Sequence, residues 1–393
     1  MEKHNECLVI YNSDMLLQWW EKMPDGWKKV FGKIIGTNKP DKLALHRLGL
    51  TTNIDISGNE DITTLDPVSN LIRLKKINIS RTKITSLSVL SQLIELSEVN
   101  CSYTGVTDLK PLSRLSNLEK LDFSGTAISQ MLLTGCNKLE IIKADSTEIR
   151  SLLSVANLKQ IKLIYADYTK IGAVAVKVFK VRKPDANIVY QTEELNKWWN
   201  LLDDKWKNIF KAEVPYVKKP NREQLAQITS IRELDLKNNS GISSLKPVEK
   251  LLELETLKFS DTDVMDLIAI KNLKNLQVLN CARNPIRSLE PLMGHSKLKA
   301  LDCSNTQVST LEYIQNLTGL KVLKVSGTKI KGLKYLVKLH QLKHLEFSST
   351  SVFYLKPIMG LNNIKTIKCY NTKIASFLIK KYKKAHPKVN VVF

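Results

Sequence analysis

The stretches Leu118–Ile128 (LEKLDFSGTAI), Leu298–Val308 (LKALDCSNTQV) and Leu320–Ile330 (LKVLKVSGTKI) decide how this chain folds. They share the pattern LxxLxLSxTxI, the last two start 22 residues apart, and the pattern extends outward in both directions through LxPLxxLxN. The last apolar residue of each LxxLxL marks one copy. The markers are Ile56, Ile79, Cys101, Phe123, Ala144 and Ala166, then Leu236, Phe259, Cys281, Cys303, Val325, Phe347 and Cys369. Three residues after each of the thirteen stands Asn or Thr. Five residues after eleven of them stands Ile or Val, while Ile62 and Ile242 stand six after the first marker of each half. A fixed period of this length is the signature of stacked coils, each burying its apolar edge against its neighbours. The invariant Asn or Thr is expected to hydrogen-bond backbone groups of adjacent coils that have left the strand.

A second symmetry spans the chain. MLLQWWEKMPDGWKKVFGK realigns on ELNKWWNLLDDKWKNIFKA, with Trp19 and Trp198, Trp27 and Trp206, and Phe31 and Phe210 each 179 apart. At the far ends VKVFKVRKPDANIVY matches LIKKYKKAHPKVNVVF. The chain thus reads as a tandem duplication, residues 1–190 and 191–393, whose second half has one more coil. All six tryptophans fall in the two WW…W segments, which read as amphipathic helices burying Trp20, Trp27 and Phe31, and Trp199, Leu202, Trp206 and Phe210. Asp14 and Thr192 are their expected N-caps. A solenoid must cover its terminal coil, so these helices read as caps.

The repeats resemble the leucine-rich repeat family in its 22-residue bacterial form, similar to internalin repeats, over about residues 46–190 and 225–393. The resemblance implies an α/β solenoid with a parallel β-sheet on its concave face and a non-catalytic binding role; the realigned halves make it two tandem repeat domains with Trp-rich helical caps. Thr mostly replaces the family's Asn, and QMLLTGCNKL and LIYADYTKI are weak coils.

Within LxxLxL the residues between the leucines face solvent and recur at about 4.8 Å from strand to strand. On this surface Lys120, Asp122, Lys143, Leu163 and Tyr165 of the first half, and Asn280, Asp302, Lys324, His344, Glu346 and Lys368 of the second, are the expected contacts for another protein. Ile141, Leu163 and Tyr165 form an apolar cluster, read either as a contact patch or as a surface covered by the second cap.

The chain has 393 residues, and 60 Lys and Arg against 38 Asp and Glu give +22. The excess is local, with 26 basic and 20 acidic residues in 1–190 against 34 and 18 in 191–393. Residues 321–393 hold sixteen Lys, no Arg and a single acid, Glu346. Lys299, Lys321, Lys343 and Lys365 recur at one repeat position and are expected to stack as a ladder. That ladder is either a solvated rim or a polyanion site for anionic glycan, nucleic acid or an acidic membrane surface. Lysine without arginine argues against base-specific DNA readout.

Catalysis and metal binding find no support in the pattern. His4, His46, His295, His340, His344 and His386 have no companion ligands, and four cysteines sit at core marker positions. No cofactor is expected, and a structural spacer is the remaining alternative. No signal peptide, spanning segment or disulfide pattern is evident, which favours the cytoplasm.

Overall fold

The computed structural model describes residues 13–393; His4 lies outside them. The chain divides into two compact units, Met1–Leu195 and Asn196–Phe393. The first opens with α1 (Ser13–Glu21), α2 (Asp25–Ile35) and α3 (Lys42–Leu48). Short strands follow one per coil: β1 (Asn53–Asp55), β2 (Lys76–Asn78), β3 (Glu98–Asn100), β4 (Lys120–Asp122), β5 (Ile141–Lys143) and β6 (Leu163–Tyr165). It closes with α4 (Ala173–Arg182) and β7 (Asn187–Val189). The second repeats the plan with α5 (Thr192–Asn200), in which the division between the units falls, α6 (Asp204–Glu213) and α7 (Arg222–Thr229). Its strands are β8 (Glu233–Asp235), β9 (Thr256–Lys258), β10 (Val278–Asn280), β11 (Ala300–Asp302), β12 (Val322–Lys324), β13 (His344–Glu346) and β14 (Thr366–Lys368), followed by α8 (Ser376–Ala385) and β15 (Asn390–Val392).

Each unit has one sheet, seven-stranded and eight-stranded, with strands in sequence order and parallel. Lys76 pairs with Glu98 and Ala300 with Val322, so one turn of the solenoid is 22 residues. The opening coils are one residue longer, pairing Asn53 with Lys76 and Glu233 with Thr256. Between strands most coils return through a 3-10 turn begun by a buried Leu, as at Leu65, Leu87 and Leu311. The weak coil around Met131 has no such turn, and its strands β4 and β5 pair 21 residues apart, Lys120 with Ile141. Parallel pairing needs these crossovers, and burying the Leu, Ile and Val of every return is what holds them.

The threonines act differently from the expectation. Thr82, Thr126, Thr306 and Thr328 donate to the carbonyls of Ile79, Phe123, Cys303 and Val325, three residues back in their own coil, at 2.6–2.7 Å. None of these four hydroxyls bonds a backbone group of the next coil. Asn284 does cross: its amide donates to Phe259 O at 2.8 Å and to Cys281 O at 3.2 Å, and its carbonyl accepts from Thr262 Oγ1 at 2.7 Å.

Coil-to-coil bonding past the strand falls to a residue the pattern does not mark. Two residues after all thirteen markers the backbone is left-handed, with φ between 53° and 70°. Glycine fills Gly58, Gly125 and Gly327; the others include Arg81, Tyr103, Asp261, Arg283 and Asn371. A side chain in that conformation costs roughly 1–2 kcal/mol. In the coils that have another full coil after them, the N–H it aims outward is bonded to that coil, Arg81 to Ser102 O at 2.9 Å and Arg283 to Ser304 O at 2.8 Å, which offsets the strain.

The cap segments each fold as two helices, with a third, α3 or α7, joining them to the first coil. Trp20, Trp27 and Phe31 are buried, as are Trp199, Leu202, Trp206 and Phe210. Trp27 Nε1 donates to Thr64 O at 2.9 Å, tying α2 to its coil, and Lys205 Nζ donates to Ser240 O at 2.6 Å, tying α6 to the first coil of the second unit. The expected N-caps are displaced. Asp14 lies inside α1, and Thr192 is the first residue of α5. The Thr192 N–H and hydroxyl donate to the Asp167 carboxylate at 2.8 and 2.7 Å, so a side chain from the last full coil supplies the cap.

Candidate functional site

The strand residues between the buried positions form two columns on each sheet. In the second unit the first column runs through Val278, Ala300 and Val322 in direct register, all half-buried, to His344, which is exposed. Beside it Asn280, Asp302, Lys324, Glu346 and Lys368 follow one another on β10 to β14. Lys324 Nζ stands 3.7 Å and Lys368 Nζ 3.1 Å from the same Glu346 Oε1. Three of the expected contact residues are thus brought together as a Lys, Glu, Lys triad. Asn280 and Asp302 are partly committed to the fold, since their Oδ1 atoms accept from the N–H two residues on, at 3.1 and 3.0 Å.

The first unit carries a counterpart on its other column. Lys76 and Lys120 donate to Glu98 Oε1 at 3.0 and 3.1 Å. Partial burial works to raise the Glu98 pKa, but the two ammonium groups outweigh it and hold the carboxyl below its ordinary range. Lys143 stands 3.9 Å from Asp122, whose Oδ1 also accepts from Ser124 N. Lys76 and Glu98 were absent from the expected contacts, although the opposite charges one repeat apart could have shown them. The apolar cluster departs from its exposed reading. Tyr165 is 9 % exposed, and Leu163 and Ile141 are half-buried. Tyr165 is paired with Val189 of β7, itself fully buried, and at that exposure its ring offers little solvent-facing contact.

Lys299, Lys321, Lys343 and Lys365 do stack: each backbone N–H from Lys321 onward donates to the carbonyl of the lysine before it, at 2.7–2.8 Å. Lys299 Nζ donates to Gln277 Oε1 at 2.5 Å, and Gln277 in turn to Glu255. Lys321, Lys343 and Lys365 have no acidic partner among the described residues, and Lys343 is half-buried.

Groups that could do covalent chemistry are dispersed or quenched. Burial pushes the thiols of Cys101, Cys136 and Cys369 up to about 12, 11 and 11, and those of Cys281 and Cys303 upward as well. A thiol held protonated is a poor nucleophile. His295 is fully buried, with Nε2 3.1 Å from Ile270 O and Nδ1 without a partner in the protein. His340 and His344 are exposed, while His386 places Nε2 3.0 Å from Met359 O. Among the described residues no three His, Cys, Asp or Glu side chains are grouped to hold a metal ion, and no helix is long and apolar enough to cross a membrane. A cleft of about 430 Å³ lies between α1, α3 and the first returns, walled by Leu16, Trp19, Leu45 and Leu71, with His46 the one titratable group on it.

No protein-family model matches the sequence, and no curated protein does. Among solved structures the chain is similar to an internalin (InlF) of Listeria monocytogenes, at 18 % identity over 94 % of each chain and a TM-score of 0.40. It is also similar to a leucine-rich repeat protein of Leptospira interrogans, at 20 % identity over 90 % of this chain and 92 % of that one, TM-score 0.38. A third is the functional domain of InlJ from Listeria monocytogenes, at 17 % identity over 92 % and 76 %, TM-score 0.33. The thirteen coils, with their parallel strands in 22-residue register, make the fold a leucine-rich repeat solenoid.

Proposed function

We propose that this protein is a non-catalytic binding scaffold whose strand faces, foremost that of the second unit, hold another protein. The observation that carries the reading is the juxtaposition of the Val278, Ala300 and Val322 column with the Asp302, Lys324, Glu346 and Lys368 column. Small, half-buried side chains leave a shallow trough, and opposite charges alternate beside it. Eight strands at about 4.8 Å make that face roughly 34 Å long, enough for about ten residues of extended chain. Charges engaged only with one another at the surface contribute little to stability, on the order of 0–1 kcal/mol per pair, and can be re-partnered by a ligand.

Residues that face solvent at regular spacing without serving the core are the natural variables of a repeat protein. Glu346 is such a residue: it receives two lysines and remains accessible. The test is a pull-down with the intact chain, compared with an Ala300→Arg variant and a Lys324→Glu/Lys368→Glu variant. Arg at position 300 fills the trough without entering the core. Proteins captured by the wild type and lost by both variants, with melting unchanged, would support the site. Equal capture by all three would refute it.

A further inference from the structure

The helix α8 that ends the second unit shows a basic face to solvent. Ile379 and Tyr382 are buried against the last coil. At 3.6 residues per turn the opposite arc is made by Phe377, Lys380, Lys381 and Lys384, within about 100° of one another. All four are exposed, Phe377 to 67 %. Lys383, on the flank, holds its ammonium 5.5 Å from the ring centre of the C-terminal Phe393, which is 54 % exposed. Residues 347–393 contain nine lysines and no acidic residue. No ion pair engages Lys380, Lys381, Lys384 or Lys388 among the described residues.

We propose that this outer face of α8 docks on a lipid bilayer with anionic headgroups. Four lysines on one short amphipathic helix supply attraction to such a surface of about 1 kcal/mol each. Phe377, ringed by three of them, supplies the apolar anchor that enters the headgroup boundary, while lysine stems lie along it and ammonium groups reach the phosphates. Phe393 and the half-exposed Val392 extend the apolar part beyond the helix. A soluble polyanion would use the lysines and leave Phe377 idle. Arginine forks, the commonest means of reading base edges, are missing from residues 321–393. The Lys321, Lys343 and Lys365 ladder adds charge but has no apolar companion in its own column.

The experiment is co-sedimentation of the full chain with vesicles of phosphatidylcholine alone or mixed with phosphatidylserine, alongside retention on a heparin column. The protein is expected to sediment with the mixed vesicles and not with the neutral ones. Lys380→Glu/Lys381→Glu/Lys384→Glu should weaken partitioning by about a hundredfold or more, since three attractions are lost and three repulsions added. Phe377→Ser should weaken it several-fold while leaving heparin retention unchanged. Failure to sediment with phosphatidylserine vesicles overturns the proposal, as does unaltered binding by the triple variant. Equal vesicle binding by wild type and Phe377→Ser also overturns it, because the site would then be a general polyanion surface. Circular dichroism melts accompany each variant, and Lys380→Gln/Lys381→Gln/Lys384→Gln replaces the charge reversal if that variant does not fold.

Discussion

The helices α4 and α8 occupy the same place in the duplicated plan, 203 residues apart, and share their inner face but not their outer one. Val176 and Phe179 are buried in the first, Ile379 and Tyr382 in the second. On the outer face, where α8 has Phe377, Lys381 and Lys384, α4 has Val174, Val178 and Val181, exposed to 78, 44 and 81 %. Lys177 and Lys380 are the one matched pair of that arc. Closing a coil constrains only the two positions that seal it. The outer arc is free of the fold, and the two units have spent it on opposite chemistries, a valine row and a lysine row.

Predictions that test this division begin with the sealing residues. Phe179→Ala should cost the first unit about 3–5 kcal/mol, read as a fall in its urea midpoint. If the first unit is barely affected, α4 does not close its solenoid as α8 does. A second difference lies deeper in the units. His295 stands where the first unit has Leu115, and burial, followed by the Lys274 charge, lowers its pKa from the ordinary 6.5. The folded state therefore binds this proton less readily than the unfolded chain. Its stability is fully present above about pH 6.5 and declines as pH falls below that value. Urea melts between pH 7.5 and 5 should show the second unit weakening, and His295→Leu should remove that dependence.

The sealing pair also differs by one atom. The Tyr382 hydroxyl is buried with no partner in the protein, and burial pushes its pKa up to about 12; Phe179 has no such group. Tyr382→Phe should leave the second unit as stable or more so, by about 1 kcal/mol, since an unsatisfied buried hydroxyl is removed. A loss of that size would mean the hydroxyl is satisfied in solution. The smallest expected effect is on the outer arc. Val178→Lys/Val181→Lys should change the stability of the first unit by no more than about 0.5 kcal/mol. A larger loss would show that the valine row is part of the fold.

Much of the architecture was legible because solenoid burial is periodic. Leu121 and Leu301 are each the inward residue of a strand and lie in the same context as every other copy, so one pattern reports them all. The order of coils, the Trp helices and the helix and strand that end each unit follow from it. The surface columns were legible too, since register is fixed by the 22-residue spacing. Lys324, Glu346 and Lys368 could be placed side by side before any distance was known.

Other features depend on geometry that no residue type announces. The left-handed corner at Arg81, Tyr103 or Asp261 escaped notice because its requirement is an N–H aimed at the next coil, which any side chain that reaches solvent can meet. The threonine column was read correctly as polar and wrongly as bridging, because reach depends on side-chain length: Asn284 spans two coils and Thr306 caps its own. Tyr165 sits in a solvent-facing register yet is buried. Asp167 caps α5 from 25 residues away.

Spacing along the chain fixes the repeat, the order of strands and the concentration of positive charge in the last coils, where residues 321–393 hold sixteen Lys and one acid. The folded chain settles which of those charges are engaged, which ring is covered, and that three lysines and a phenylalanine share one arc of α8. Those outcomes depend on what stands across from each side chain in space, and the 22-residue period carries no record of that.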